Sequence, residues 1–206
     1  MIVEAAIWTA TALAAPEVLR FVWGRWGGAA GDRLQPVLSF GRWFHGLGIP
    51  YLALITGAVA APDVGLSGQS GTEWLRGAGI CAAVLGLAWV AARRRRVAYP
   101  YPGPGLAAID EPRWALYRGT GSLLADPRWA GPFIGLGIGV IEWALRHPPR
   151  VRGFRPSAEA WPSLARLFGS TVLFFLTRNL WLMVLTQAGL SLVLAGINRE
   201  PSEDQA

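Results

Sequence analysis

The amino-acid sequence predicts an all-α protein, a polytopic bundle of about six or seven transmembrane helices. Three observations predict this fold. Hydrophobic residues make up 52% of the 206 residues, and the mean hydropathy is +0.34. Only 16% of the residues are charged, against about 25% in an average soluble protein. The apolar residues are grouped into segments of roughly the 20 residues that cross a bilayer, and a soluble domain this small could not bury them all.

One helical membrane domain is predicted over residues 1–198, followed by a polar tail at 199–206. The first segments are predicted at 5–23, 38–61 and 74–92, separated by polar, glycine-rich loops at 27–34 and 62–72. The first segment is predicted to be retained and not cleaved as a signal peptide, because no basic residue precedes it and Glu4 interrupts it.

A run of four arginines ends the third segment, and a proline-rich stretch follows. Proline cannot continue a helix, so a cytoplasmic linker is predicted over about 93–109. The remaining segments are predicted at 109–125, 129–145, 164–176 and 180–197. The segment at 109–125 is the least apolar of these and could instead lie in the membrane interface as an amphipathic helix.

The arginines predict the orientation of the bundle. Basic loops favour the cytoplasmic side, which places Arg93–Arg96 and the cluster Arg146–Arg155 on that side. An even number of crossings then separates the two clusters, with the N-terminus outside and the C-terminus inside. The predicted location is the cytoplasmic (inner) membrane of a bacterium. The net charge of +6 comes from arginines beside the hydrophobic segments, where positive charge sets the orientation in the membrane. No nucleic-acid partner is therefore predicted.

Glycines at four-residue spacing mark the fifth segment. Gly131, Gly135 and Gly139 fit the small-residue pattern of closely packed membrane helices. The pattern predicts close packing inside the bundle, with dimerisation as the alternative.

An ionisable residue within a membrane span indicates a functional site by default. Arg118 and Glu142 meet that description, but Arg118 could equally pair with a carboxylate such as Glu142 or extend to the interface. Gln187 lies in the middle of the last span and could form a hydrogen bond with a neighbouring helix. His45 could be an interface residue or a ligand of a metal or pigment. Glu111 could instead be a residue of the first helical turn, where a negative charge is stabilising.

Two stretches resemble a known family. Residues 111–119 (EPRWALYRG) resemble the first motif of the CAAX-protease and bacteriocin-processing (CPBP) membrane proteins, in which two glutamates precede an aromatic-Arg-Gly. Residues 174–187 (FFLTRNLWLMVLTQ) resemble the last hairpin of that family, where a Leu-Trp leads to a histidine on the final helix. The resemblance covers roughly 111–197 and implies the helical membrane fold of the family.

The catalytic positions depart from the family pattern. With the aromatic-Arg-Gly anchored at 117–119, the two glutamates fall on Arg113 and Trp114. The final histidine falls on Gln187, and the Asn or Asp after it falls on Ser191. A metal-dependent hydrolase needs about three protein ligands around an open coordination site. The resemblance therefore implies a retained fold without catalytic residues, and no metal or other cofactor is predicted.

Three functions follow from the sequence. The first is a non-catalytic CPBP-like accessory or scaffold subunit that contacts membrane lipid and another integral membrane protein. The second is an intramembrane metal-dependent endopeptidase with an atypical site built from Glu111, Arg118, Glu142 and Gln187, since the middle motif Phe-x-x-x-His has only Glu142 near its histidine. The third is a small transporter or channel, which the lack of evident internal repeats disfavours.

Overall fold

A computed structural model of the protein describes residues 1–95, 103–125, 128–147 and 160–197. These residues form seven α-helices and no strand, so the all-α prediction is confirmed. A π-helical turn, Phe44–Gly48, joins the first two helices, and a short 3-10 turn precedes the fifth. The helices are α1 (Ile2–Trp43), α2 (Ile49–Ile55), α3 (Gly71–Arg95), α4 (Pro104–Leu124), α5 (Gly131–Arg146), α6 (Ala160–Thr177) and α7 (Leu180–Ile197).

The backbone of α1 is helical over 42 residues, but α1 is not straight. At 1.5 Å per residue, a straight helix would separate Ala12 from His45 by about 50 Å. Instead, Nε2 of His45 lies 2.8 Å from the carbonyl oxygen of Ala12, so the chain reverses direction between them. Residues 27–34, predicted as a loop, have helical backbone, since glycine in a helix costs only about 1 kcal/mol. The reversal of direction that the loop was predicted to provide takes place within α1.

The second predicted segment ends earlier than residue 61, because α2 stops at Ile55. Gly57 adopts a left-handed backbone with φ of 73°. Its N–H donates to the carbonyl of Leu54, and the N–H of Ala58 donates to the carbonyl of Ala53, both at 3.0 Å. This is a Schellman motif, in which glycine adopts the conformation that ends a helix.

The third segment is helical as predicted and begins at a capping box. The backbone N–H of Ser70 donates to the Glu73 carboxylate at 2.7 Å, and the N–H of Glu73 donates to the Ser70 hydroxyl at 3.3 Å. The two side chains satisfy backbone donors that a helix start leaves unpaired, which places the start of α3 at Gly71.

The fourth helix is the centre of the molecule. It packs against α1, α2, α5 and α7, and every residue from Arg113 to Gly121 is buried. This stretch has no exposed polar face, which disfavours the alternative of an amphipathic helix on the membrane surface. That 109–125 spans the membrane stays a prediction. The linker is also shorter than predicted: α3 continues to Arg95, and α4 begins at Pro104, a residue type favoured at the first helical position.

Glycines let α4 and α5 approach each other backbone to backbone. A Cβ atom on Gly135 would lie 2.6 Å from the backbone nitrogen of Arg118, and one on Gly121 would lie 2.3 Å from the carbonyl oxygen of Gly131. Gly139 packs instead against the side chain of Leu167 of α6. The prediction that these glycines serve packing inside the bundle is confirmed.

Among the described residues, two helical stretches, Ile2–Leu19 and Gly71–Arg94, are long and apolar enough to cross a membrane. The apolar stretch Leu180–Leu194 in α7 is shorter. The polar tail at 199–206 and most of the arginine cluster at 146–155 lie outside the described residues.

Candidate functional site

Polar and charged side chains collect inside the bundle around α4. They come from the π-helical turn and from α4, α5, α6 and α7, and all but Asp110 and Arg146 are less than a tenth exposed. They form two groups, which we call the deep trio and the arginine cluster. The deep trio consists of Glu111, Arg118 and Ser170, and the arginine cluster consists of His45, Asp110, Arg113, Glu142, Arg146, Arg166 and Gln187, of which only Asp110 and Arg146 are partly exposed.

Three hydrogen bonds connect the deep trio, and two of them join α4 to α6. The Arg118 guanidinium donates to Oε2 of Glu111 at 3.1 Å and to the hydroxyl of Ser170 at 3.0 Å. The Ser170 hydroxyl donates to the same Glu111 oxygen at 2.8 Å. Glu111 and Arg118 are seven residues apart, about two helical turns, so they share one face of α4. The guanidinium also lies over the ring of Phe174, 4.3 Å from its centroid.

Arg118 pairs with a carboxylate, as predicted, but the partner is Glu111 and not Glu142. The prediction for Glu111 is wrong. Glu111 is not at a helix start, because α4 begins at Pro104 and Glu111 is completely buried two turns further on. Burying a charge costs several kcal/mol unless a partner compensates it, and this ion pair supplies the compensation.

Arg113 is the centre of the arginine cluster. Its guanidinium donates to Asp110 at 2.8 Å and to Nδ1 of His45 at 3.3 Å. Its Nε lies 3.2 Å from Oε1 of Glu142, and the same carboxylate oxygen contacts Arg146 one turn further along α5. One carboxylate oxygen on α5 thus lies between two guanidinium groups, one of which belongs to α4.

Arg166 extends the cluster towards α7. Its guanidinium contacts Asp110 at 3.0 Å and donates to the carbonyl of Ala107 at 3.1 Å. Its Nε donates to the side-chain oxygen of Gln187 at 3.2 Å. The prediction that Gln187 forms a hydrogen bond with a neighbouring helix is confirmed.

His45 connects this cluster to α1 through a gap in the α1 hydrogen-bond ladder. The carbonyl of Ala12 would accept from the backbone nitrogen of residue 16, but Pro16 has no N–H. Nε2 of His45 donates to that carbonyl at 2.8 Å. A carbonyl only accepts and a guanidinium only donates, so Nε2 carries the proton and Nδ1 accepts from Arg113.

This geometry corrects both sequence interpretations of His45. The side chain is only 6% exposed, so His45 is not a surface residue at the membrane interface. Both ring nitrogens already have partners, so neither presents a free lone pair to a metal or pigment.

The four residues of the atypical enzyme site do not form one site. Glu111 and Arg118 pair with each other, whereas Glu142 contacts Arg113 and Arg146. Gln187 contacts Arg166. Within the described ranges, no three His, Cys, Asp or Glu side chains come together in a way that could hold a metal ion.

Four residues that proved central were absent from the sequence-based candidates. Asp110 and Arg113 are three residues apart on a helix, a spacing that brings opposite charges together. Arg166 lies within a predicted span, where the criterion for intramembrane charges would have identified it. Ser170 carries no such sequence signal.

A cleft of about 220 Å³ opens beside the arginine cluster, between α4, α5 and α6. Trp143 closes one wall and donates from its indole N–H to the carbonyl of Ala160 at 2.8 Å. The polar lining comes from Asp110, Arg113, Glu142, Arg146, His147 and Ser163.

Comparison with known proteins gives no match to this chain, whether against protein-family models, curated proteins or solved structures. The sequence resemblance to the CPBP family therefore stays a prediction.

The deep trio predicts a large effect of Glu111→Gln. This change leaves the Arg118 charge buried without a partner, and we expect the free energy of unfolding to fall by about 3–5 kcal/mol. Removing both charges in Glu111→Leu/Arg118→Met should cost less than Glu111→Gln alone. Chemical unfolding of the purified full-length protein measures both.

Glu4→Gln is the matched control, because Glu4 is exposed and contacts only the N-terminal amine. It should change stability by no more than about 0.5 kcal/mol. A loss in Glu111→Gln no larger than that of the control would contradict a stabilising role for the trio.

The contact of His45 with Ala12 predicts a coupling between residues 45 and 16. His45→Phe leaves the Ala12 carbonyl unpaired and should destabilise the protein by about 1–3 kcal/mol. Adding Pro16→Ala supplies a helical N–H to the same carbonyl and should recover about 1 kcal/mol. A double-mutant cycle measured by unfolding tests this, and equal effects of Pro16→Ala in both backgrounds would contradict the assignment.

Proposed function

We propose that the protein is a polytopic integral membrane protein that acts as a non-catalytic accessory or scaffold subunit of a membrane complex. One observation carries the proposal: the polarity of the bundle is inverted. Ion pairs and hydrogen-bonding groups occupy its interior, and large apolar side chains cover its outside. Water would favour the opposite arrangement, whereas hydrocarbon favours this one.

The outward face of α3 is the clearest part of this inversion. Only 11% of its most apolar window is buried, so α3 does not resemble the core helix of a water-soluble protein. Leu75 and Leu87 are 77% and 70% exposed. The same outward apolar character continues on other helices, at Ile141, Val172, Leu176, Leu185 and Leu192.

The distribution of charge supports a bundle with several crossings. Arg93 and Arg94 lie at the C-terminal end of α3, and Arg146 lies at the C-terminal end of α5. Because basic residues favour the cytoplasmic side, both helix ends are proposed to be cytoplasmic. Helix α4 follows the connection after α3, and helix α6 follows the connection after α5. This arrangement agrees with a cytoplasmic C-terminus in a bacterial inner membrane, which we include in the proposal.

The pairing of the interior charges favours a non-catalytic role. Glu111, Asp110 and Glu142 each contact at least one guanidinium group. A general base or metal ligand needs a free lone pair directed at substrate or metal. A carboxylate held by arginine instead connects helices, which suits a scaffold.

The CPBP resemblance is compatible with this function and is part of the proposal. Arg113 and Trp114 occupy the positions where the family motif has its two glutamates. Trp114 lies 5.6 Å below the Arg166 guanidinium, and Arg113 organises the cluster. We propose that these substitutions turned a metal-binding interior into one that fixes helix packing, and that the exposed apolar surface contacts lipid and another integral membrane protein.

Membrane insertion predicts that Leu87, near the middle of the α3 span, can be replaced by alanine but not by arginine. Leu87→Arg should cost about 2.5–3.5 kcal/mol of insertion free energy and reduce the amount of protein in the membrane. Leu87→Ala is the matched control and should have little effect. Alkaline carbonate extraction followed by detergent extraction measures this, and release of the wild-type protein by carbonate alone would contradict membrane integration.

The accessory role predicts that the chain co-purifies from its native membrane, in mild detergent, with one integral membrane protein at a fixed ratio. The purified chain should cleave no membrane peptide, with or without added Zn²⁺. Glu111→Ala and Glu142→Ala should alter assembly or stability only. Peptide cleavage that these two changes abolish would favour the intramembrane endopeptidase instead, and elution of the chain alone would contradict the accessory role.

A further inference from the structure

The cleft beside the arginine cluster has a lining in which positive and negative side chains balance. Arg113 and Arg146 supply two guanidinium groups. Asp110 and Glu142 supply two carboxylates. A simple ion entering this partly buried site would bring a net charge that the lining does not compensate, and its desolvation would be costly. A ligand with one positive and one negative group keeps the balance, so the lining favours a zwitterion.

Arg146 can recognise the negative group of such a ligand. Its side chain lines the cleft and is 27% exposed, so a ligand can reach it. Its Nε is buried and has no hydrogen-bond acceptor among the described residues. Guanidinium groups match phosphate oxygens in geometry as well as in charge. A phosphate group in the cleft would therefore supply the acceptor that Arg146 lacks.

His147 can recognise the positive group. Its Nδ1 lies 2.9 Å from the carbonyl oxygen of Trp143. A carbonyl only accepts, so Nδ1 carries the proton, and Nε2 of the neutral ring keeps its lone pair. Asp110 lies in the same lining, is 24% exposed and adds a negative charge. A primary ammonium, which carries a positive charge and three N–H donors, suits both groups.

The cleft lies at the proposed cytoplasmic boundary of the bundle, at the depth of lipid head groups. It is formed where α5 ends, at His147, and where α6 begins, near Ser163. Trp161 is 54% exposed at the same level, with its ring 6.2 Å from that of Trp143, and tryptophan is enriched at membrane interfaces. Trp143 and Leu167 give the cleft apolar walls, against which the glycerol and first methylenes of a lipid would bury surface.

We propose that this cleft binds the head group of a zwitterionic phospholipid with a primary ammonium, such as phosphatidylethanolamine. Arg146 binds the phosphate, and His147 and Asp110 bind the ammonium. The volume of about 220 Å³ is below that of a typical pocket for a drug-sized ligand and accommodates a head group, with the acyl chains along the apolar outside of the bundle. The proposal rests on the proposed function, because lipid reaches the cleft only in a membrane.

The test adds phospholipids with identical acyl chains to the full-length protein in a non-ionic detergent and measures bound lipid by native mass spectrometry. Phosphatidylethanolamine is compared with phosphatidylcholine, which has the same net charge but no N–H donor, and with phosphatidylglycerol, which has the phosphate but no ammonium. We expect phosphatidylethanolamine to bind about tenfold more tightly than either, the gain typical of one charge-assisted hydrogen bond. Equal or tighter binding of either comparator would overturn the proposal.

Two variants separate the two ends of the head group. Arg146→Gln should weaken both phosphatidylethanolamine and phosphatidylglycerol about tenfold, because both carry the phosphate. His147→Phe keeps an aromatic ring beside Trp143 but removes the acceptor, so it should weaken phosphatidylethanolamine about tenfold and leave phosphatidylglycerol unchanged. Arg42→Gln is the matched control, because it removes the same charge as Arg146→Gln from an exposed position on α1, and it should leave all binding unchanged.

The unfolding temperature of each variant is measured in parallel, so that lost folding is not taken for lost binding. His147 lies at the end of α5 and is partly exposed, so His147→Phe tests the proposal even if Arg146→Gln fails to fold. In a His147→Phe protein with the wild-type unfolding temperature, unchanged binding of phosphatidylethanolamine, or an equal loss of both lipids, would overturn the proposal. An equal loss in Arg42→Gln and Arg146→Gln would do the same.

Soluble phosphoethanolamine distinguishes the lipid from a free zwitterion of the same chemistry. We expect it not to displace phosphatidylethanolamine at the same concentration, because it has no glycerol or acyl chain to bury against the apolar walls. Displacement would assign the cleft to a soluble zwitterion and overturn the lipid site. A wild-type chain that resists carbonate extraction yet binds the three lipids equally would overturn the lipid site alone, whereas release by carbonate would contradict the proposed function itself.

Discussion

The arrangement of the bundle depends on the pairing of charges along one completely buried helix. From Arg113 to Gly121, α4 has no exposed side, yet this stretch carries two arginines, and Asp110 and Glu111 precede it. An unpaired charge in such surroundings costs several kcal/mol, so each neighbouring helix must present a matching group. Helix α5 presents Glu142, and α6 presents Arg166 and Ser170. Gln187 of α7 in turn accepts from Arg166. The set of partners thus selects the face that each helix turns towards α4.

Close backbone approach makes this pairing geometrically possible. Gly135 lies against the backbone of Arg118, and Gly121 lies against Gly131, so α5 is close enough for Glu142 to meet Arg113. On the other side of α4, the missing N–H of Pro16 leaves a carbonyl that His45 satisfies while accepting from Arg113. Backbone irregularities that would weaken isolated helices are therefore the points at which α1 and α5 attach to α4.

The sequence predicted the elements better than their connections. α7 has the predicted bounds of 180–197, because its apolar run is unbroken and Asn179 accepts from the N–H of Leu182 to cap its start. The loop at 27–34 and the end of α2 were wrong, since both depend on whether particular glycines stay helical or adopt a positive φ. The search for ionisable and polar residues within predicted spans identified Arg118, Glu142 and Gln187, which are buried, but it assigned Glu111 to a helix start. It could not predict their pairing, because that depends on the rotation of α5 and α6 about their own axes, and these rotations follow from tertiary glycine contacts.

The sign of the charge at residue 113 distinguishes the proposed scaffold function from the alternative of hydrolysis. A hydrolytic metal site concentrates negative or neutral donors, because a divalent cation needs them as ligands. In this protein residue 113 is an arginine, and its guanidinium group lies within 3.2 Å of the carboxylates of Asp110 and Glu142. It satisfies both carboxylates and would repel a divalent cation from them, since like charges a few ångströms apart interact strongly at low dielectric. A glutamate at residue 113 would reverse this, leaving three carboxylates close together without their central cation. Arginine at this position instead joins α4 to Glu142 of α5 and to His45 of the π-helical turn.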